Sequence, residues 1–114
     1  MTSFNAWDVV SVPFPYTDRH VRQRRPALVI AADKLQADHG LLWLLMITSA
    51  ENRKWPGDVP VSDLKAAGLP AASVVRPAKI AAIDALQAQY LGVLPAKDRK
   101  AVISYVSKTL ASVL

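Results

Sequence analysis

Arg25 and Thr48 are the residues of this chain best suited to chemistry on a phosphate, and each stands at the boundary of an apolar run. Arginine presents a planar fork that donates two hydrogen bonds to phosphate oxygens and keeps its charge. A hydroxyl beside it adds a donor and fixes the phosphate's orientation. Such a pair suits RNA strand scission, because RNA carries its own nucleophile in the ribose 2′-hydroxyl. The protein then has to stabilise a phosphorane with extra negative charge and move protons on and off oxygen. Arg19, His20, Arg22, Arg24 and Arg25 put four arginines and one histidine into a single short segment, a grip for a polyanion.

A second basic segment, Arg53-Lys54, leads into Trp55-Pro56-Gly57. Unpaired bases stack on tryptophan and arginine, so this loop tip suits single-stranded RNA, and the same features suit a groove for a peptide tail. Arg76 and Lys79 flank a strand junction. These three clusters form one face only if the fold brings distant parts of the chain together.

The elements that must position them are mostly strands. Eight prolines and four glycines cut the chain into short segments, as in a small β-rich barrel. Strands are predicted near Asp8–Val12, Ala27–Ala31, Leu41–Thr48, Val59–Val61, Ser73–Val75 and Ile80–Ile83. Leu41–Ile47 is apolar on both faces, which predicts a central strand covered on two sides. Trp7 and Trp43, within apolar strands, read as core or dimer-interface residues. Ser62–Gly68 predicts a helical turn capped by Ser62 or Asp63 and ended by Gly68. Pro95 opens a C-terminal helix with Val102, Val106, Leu110 and Val113 at helical spacing. His39 falls in a turn with Asp38 and Gly40.

A chain of 114 residues makes one domain, spanning 1–114, with one modest core. Apolar residues make up 52% of it and the mean hydropathy is +0.18, so surplus apolar surface is expected to meet a partner or a second copy. There is no apolar stretch of about 18 residues to span a membrane, and no leader pattern at the N-terminus. The absence of cysteine excludes disulfides, thiolate zinc sites and cysteine nucleophiles. The chain reads as cytoplasmic. The two histidines lack closely spaced His, Asp or Glu ligands, so no metal and no cofactor is expected. A net charge of +5, from 14 basic against 9 acidic residues, favours a nucleic acid or an acidic protein partner.

The Arg25-Pro26 step opening the second strand, Thr48-Ser49 closing the third, Ala67-Gly68-Leu69, and Val74-Val75-Arg76-Pro77 together resemble the MazF/PemK/Kid family of toxin–antitoxin ribonucleases. The resemblance runs from about Trp7 to the C-terminal helix. It implies a mainly β fold: a small SH3-like barrel of five to seven strands with a C-terminal helix. It also implies a metal-independent, sequence-specific endoribonuclease that acts on single-stranded RNA as a homodimer and leaves 2′,3′-cyclic phosphate and 5′-hydroxyl ends. A cognate antitoxin would occlude the site with an extended or helical tail. By the same resemblance Arg25 contacts the scissile phosphate, Thr48 helps bind and activate it, and Arg76 acts as acid. Ser49, Arg53, Lys54, Trp55 and Lys79, with Arg19, His20, Arg22 and Arg24, are the RNA-contact candidates. Where the Kid branch carries an aspartate as general base, this chain has Ala78, which favours a mechanism centred on Arg25 and Thr48. His20, with an unperturbed pKa near neutrality, is the minor candidate for a base.

Each residue has a plainer alternative. Arg24-Arg25 also fits a solvated basic hairpin, Thr48-Ser49 ordinary turn chemistry, and Arg76 a structural ion pair with Asp58 or Asp84. Two other functions suit the same fold: a non-catalytic poison of DNA gyrase like CcdB, and a binding module without activity. CcdB-like toxins use a tryptophan near the extreme C-terminus, whereas this chain ends Ala111-Ser112-Val113-Leu114.

Overall fold

The apolar run from Leu41 becomes the middle of a sheet because its side chains alternate between two cores. In the computed structural model, which describes residues 3–13 and 23–114, this strand spans Leu41–Ser49 and is the third in chain order. We number the strands β1 (Asp8–Pro13), β2 (Arg24–Ala31), β3 (Leu41–Ser49), β4 (Val59–Pro60), β5 (Ser73–Asp84) and β6 (Gln89–Val93). They form one sheet in the order β4-β5-β3-β2-β1-β6, with every neighbouring pair antiparallel. Helices α1 (Asp33–His39), α2 (Leu64–Ala67) and α3 (Ala96–Thr109) connect or follow the strands, and a single 3-10 turn, Ala85–Gln87, joins β5 to β6.

Leu42, Leu44 and Met46 of β3 pack with Phe4, Val10, Val12, Ala27 and Val29 on one face. Leu45 and Ile47 pack with Val9, Leu28, Val75, Leu94 and Val102 on the other. The strand is therefore covered on both sides, as its composition predicts. Trp43 departs from the core expectation. It is 46% exposed and borders a groove with Ile30, Ile80, Tyr105 and Leu110 near the end of α3.

The sequence suggests two strands separated by Pro77, but β5 runs through it. Leu45 pairs with Ile80 and the next residue, Met46, pairs with Arg76, so Pro77, Ala78 and Lys79 form a bulge with no partner residues in β3. A bulge is where a proline can sit in a ladder, since it has no N–H to donate.

The sheet curls into a half-barrel, and α2 fills the gap between its edge strands. Asp63 caps α2 by accepting from the Ala66 N–H at 3.1 Å. Gly68 ends it at φ +71, in the left-handed region. Against β6 the approach is backbone to backbone: a Cβ on Gly92 would overlap the Ala66 carbonyl oxygen. Val59, Val61, Ala67, Leu69 and Leu94 join one core there. The C-terminal helix α3 begins after Pro95 as expected and buries Val102, while Asp98 in its first turn accepts from the Ser62 N–H at 2.9 Å and the Ser62 hydroxyl at 3.0 Å. The far end of its predicted apolar stripe stays open, with Leu110 40% and Val113 76% exposed.

Two elements are absent from the sequence reading. The segment containing His39 is a helix, α1, with His39 in its last turn and Gly40 as its left-handed cap. β6 pairs with β1 to form the second edge of the sheet. Among the described residues, no helix is long and apolar enough to cross a membrane.

Candidate active site

Strand pairing brings the two leading candidates to one place. Ala27 pairs with Met46 in the β2–β3 ladder, and two residues further along each strand stand Arg25 and Thr48. Both line an open cleft of about 260 Å³, together with Ser49, Asn52 and the segment from Pro70 to Ser73. Arg25 is half-buried, and its Nη2 donates to Gln23 Oε1 at 3.2 Å.

The hydroxyls of the Thr48-Ser49 pair are used differently. Ser49 Oγ accepts from the Glu51 N–H at 3.2 Å, and the Ser49 carbonyl accepts from the Asn52 N–H at 3.1 Å. These are the turn bonds that the plainer reading of the pair expects. Thr48 Oγ1 instead accepts from the Asn52 side-chain amide at 2.6 Å. A hydroxyl that accepts such a bond still carries its own proton and can donate it to an anion in the cleft. Asn52 is a site residue that sequence reasoning missed. Its signal was its position four residues beyond Thr48 in the turn after a strand.

The other basic residues divide between the cleft's surroundings and the scaffold. Arg24, next to Arg25 and so on the opposite side of the pleat, is not brought to the cleft. Its Nε donates to Ser11 Oγ at 3.0 Å and its Nη2 to the Gln87 carbonyl at 2.9 Å, which ties β2 to β1 and to the 3-10 turn. Arg53 and Lys54 are exposed in the loop before β4, and Lys79 is half-buried in the β5 bulge. Arg19, His20 and Arg22 lie outside the described residues.

Arg76 lies away from the cleft lining and is 8% exposed. Its Nε donates to Asp58 Oδ1 at 3.1 Å and its Nη2 to Asp58 Oδ2 at 3.0 Å, the ion pair that the structural alternative for Arg76 anticipates. Nη2 also donates to the Arg53 carbonyl at 2.8 Å, and the guanidinium carbon lies 4.2 Å from the centre of the Trp55 ring. The second and third basic clusters therefore do meet, through Arg76 and the Arg53 backbone. Burial works against the charge on Asp58. The Arg76 hydrogen bond, the Trp55 N–H and the attraction of the guanidinium outweigh it and hold the carboxyl below its ordinary pKa of 3.8.

Trp7 is half-buried against the helix-side core, with the Arg99 guanidinium carbon 5.4 Å from its ring centre. No cluster of three His, Cys, Asp or Glu able to hold a metal occurs among the described residues.

An antiparallel half-barrel sheet with a terminal helix is an architecture that this chain shares with solved structures of small toxins. MazF from Deinococcus radiodurans is 22% identical with a TM-score of 0.78, over 97% of this chain and 99% of that one. A MazE–MazF structure from the same organism is 21% identical with a TM-score of 0.75, over 96% and 97%. An endoribonuclease in complex with its cognate antitoxin, from a mycobacterial species, is 12% identical with a TM-score of 0.73, over 97% and 96%. No curated protein matches the chain. Residues 5–110 match the family of PemK-like, MazF-like toxins of type II toxin–antitoxin systems, and the chain belongs to that family. This membership lends no support to the CcdB-like alternative.

Proposed function

We propose that this toxin is a sequence-specific endoribonuclease that cuts single-stranded RNA at the Arg25–Thr48 cleft and needs no metal. The observation that carries the reading is the gathering of Arg25, Thr48, Ser49 and Asn52 along one open cleft. A scissile phosphate seated there receives two donors of different character: the charged fork of Arg25 and the Thr48 hydroxyl aimed by Asn52. As the 2′-oxygen bonds to phosphorus and the bond to the 5′-oxygen breaks, negative charge grows on the non-bridging oxygens, where these donors count most. The 2′-hydroxyl gives up its proton, the 5′-oxygen gains one, and the products end in 2′,3′-cyclic phosphate and 5′-hydroxyl. Arg53, Lys54 and Trp55 extend the contact to neighbouring nucleotides, and Arg19 and Arg22 add to the chain's positive charge.

The solved complexes of similar toxins with antitoxins support a cognate antitoxin as protein partner. The open apolar surface of Trp43, Ile80 and Leu110, on a chain of this composition, supports a homodimer. Incubation with mixed single-stranded RNA in EDTA, beside Arg25→Ala, tests the activity. Discrete cuts with cyclic phosphate ends, lost in the variant, are expected. Ala78, exposed in the β5 bulge where a carboxylate base would stand, favours one second reading: a module that binds RNA without turnover. RNA binding without cuts in that experiment would establish it.

A further inference from the structure

We propose that Asp58 and Arg76 form a clasp that holds Trp55 as a rigid platform for one unpaired base, which makes Asp58 a positioning residue for RNA recognition. The inference rests on the endoribonuclease reading of the cleft and adds a base subsite to it.

The loop before β4 is fixed from three directions. From β5, the Arg76 fork takes both Asp58 carboxylate oxygens and the Arg53 carbonyl. Within the loop, Asp58 Oδ2 accepts from the Trp55 N–H at 3.0 Å and the Asp58 N–H donates to the Trp55 carbonyl at 3.1 Å. From α3, the Tyr105 ring lies so close to Gly57 that a Cβ there would overlap it, and Gly57 has φ +90. Trp55 is thereby held at both its main chain and its ring.

The ring has one side against the Arg76 guanidinium, 4.2 Å from its centre, yet remains 37% exposed. An indole backed by a cation and more than a third exposed offers a stacking surface for a base. Long or aromatic side chains in open loops normally lose rotamer freedom when they bind. A side chain already held in place loses less, and affinity rises accordingly. The same geometry gives Arg76 a task other than proton donation: its fork is turned to a carboxylate and a carbonyl in a mostly buried position. Phosphate chemistry at the cleft and base selection at the clasp then fall to different residues. The Thr48–Asn52 turn links the two, since Asn52 directly precedes Arg53.

The test separates KM from kcat. For Asp58→Asn and Arg76→Lys, with folding checked by near-ultraviolet circular dichroism, KM for single-stranded RNA is expected to rise about tenfold, the worth of one base stack, with kcat little changed. In a Trp55→Ala background, Asp58→Asn is expected to add nothing further. A fall in kcat at constant KM, or full additivity with Trp55→Ala, would overturn the clasp and return Arg76 to the chemistry. Tryptophan fluorescence with a 2′-O-methyl oligonucleotide, which cannot be cut, reads the subsite independently of turnover. Quenching that Trp55→Phe and Asp58→Asn both lose supports the clasp even if wild-type protein cuts no RNA, an outcome that would sink only the activity. No quenching in wild type, or equal quenching in Asp58→Asn, would overturn the clasp itself.

Discussion

Asn52 donates its side-chain amide to Thr48 Oγ1 across 2.6 Å, and this bond decides which way the threonine hydroxyl can point. With the oxygen occupied from the loop side, the proton is left for an acceptor in the cleft that Arg25 shares. The hydroxyl to which the proposed mechanism assigns a donor role is thus aimed by the turn that follows its own strand.

Substitutions at Thr48 should therefore follow hydroxyl chemistry rather than size. Thr48→Val keeps the β-branched shape and is expected to lose about a hundredfold or more in kcat, the usual scale for a donor to a developing oxyanion. Thr48→Ser should retain most activity. Arg25→Lys keeps the charge without the fork and should fall well below wild type. Single-turnover cleavage of one oligonucleotide ranks the series, and equal rates for Thr48→Val and wild type would remove Thr48 from the mechanism.

Asn52→Ala leaves the hydroxyl present but unaimed. A neutral hydrogen bond is worth about 1 kcal/mol, so cleavage is expected to slow by roughly tenfold or less, with the fold intact. The Asn52→Ala and Thr48→Val effects should not add, because Asn52 acts through Thr48. A double-mutant cycle on kcat measures this, and full additivity would show that Asn52 acts elsewhere.

The Asp58–Arg76 pair also bears on stability. Both side chains are about nine-tenths covered, at 8% and 10% exposure. Removing one partner strands the other, so Asp58→Ala is expected to cost about 3–5 kcal/mol in urea unfolding. Replacing both, as in Asp58→Leu with Arg76→Met, should recover much of that loss, since an apolar pair needs no desolvated charge. If the double variant were as unstable as the single one, the loop would depend on the pair's specific geometry.

The same pair sets an acid limit. Burial raises the Asp58 pKa, but the Arg76 hydrogen bond, the Trp55 N–H and the guanidinium's attraction lower it further, so the folded value lies below 3.8. The unfolded chain then binds the proton first, and stability falls as protons are taken up. The contribution is fully present above the unfolded value of about 3.8 and is lost as pH drops through the folded one. Arg76 from β5 faces the carboxylate, and Asp58 lines a shallow groove with Lys108 and Tyr105 from α3. Urea unfolding between about pH 2 and 6 should show a slope in wild type that Asp58→Asn reduces, and identical slopes would mean that Asp58 does not carry the shift.

Much of this was legible in the sequence where one physical signal dominated. Arg25 and Thr48 could be paired because each stands at the boundary of an apolar run and matches a motif of the family that the chain resembles. α2 could be placed because Asp63 and Gly68 are strong start and stop signals. The misses occurred where the signal was weak or divided. α1 buries no side chain and has no side-chain cap at Ala32, so neither an apolar stripe nor a capping residue marks it. In β6 the buried residue is Gly92, while Tyr90 and Leu91 are exposed, the reverse of an apolar-inward strand. Pro77 suggested a break in β5 because whether a bulge can absorb it depends on the partner strand. The roles of Arg76 and Asn52 rest on contacts 18 and 4 residues away along the chain, which spacing alone does not reveal.

Gly92 joins the fold's closure to the cleft. A methyl group there would meet three backbone atoms, the Ala66 carbonyl oxygen and the carbonyl carbon and oxygen of Ala67, none of which can rotate away. Gly92→Ala should therefore displace α2 from β6 and cost about 1–3 kcal/mol, the usual scale for overpacking. The segment that α2 leads into, from Leu69 to Ser73, lines the cleft opposite Arg25. Part of the displacement should reach that wall, so kcat should drop although no RNA-contacting residue has changed. Gly68→Ala should be worse, because it adds a left-handed backbone at φ +71 to an overlap with the Leu91 carbonyl. Thermal unfolding and cleavage rates measured on the same preparations decide it. Loss of stability with full activity would mean that the cleft wall is held independently of α2.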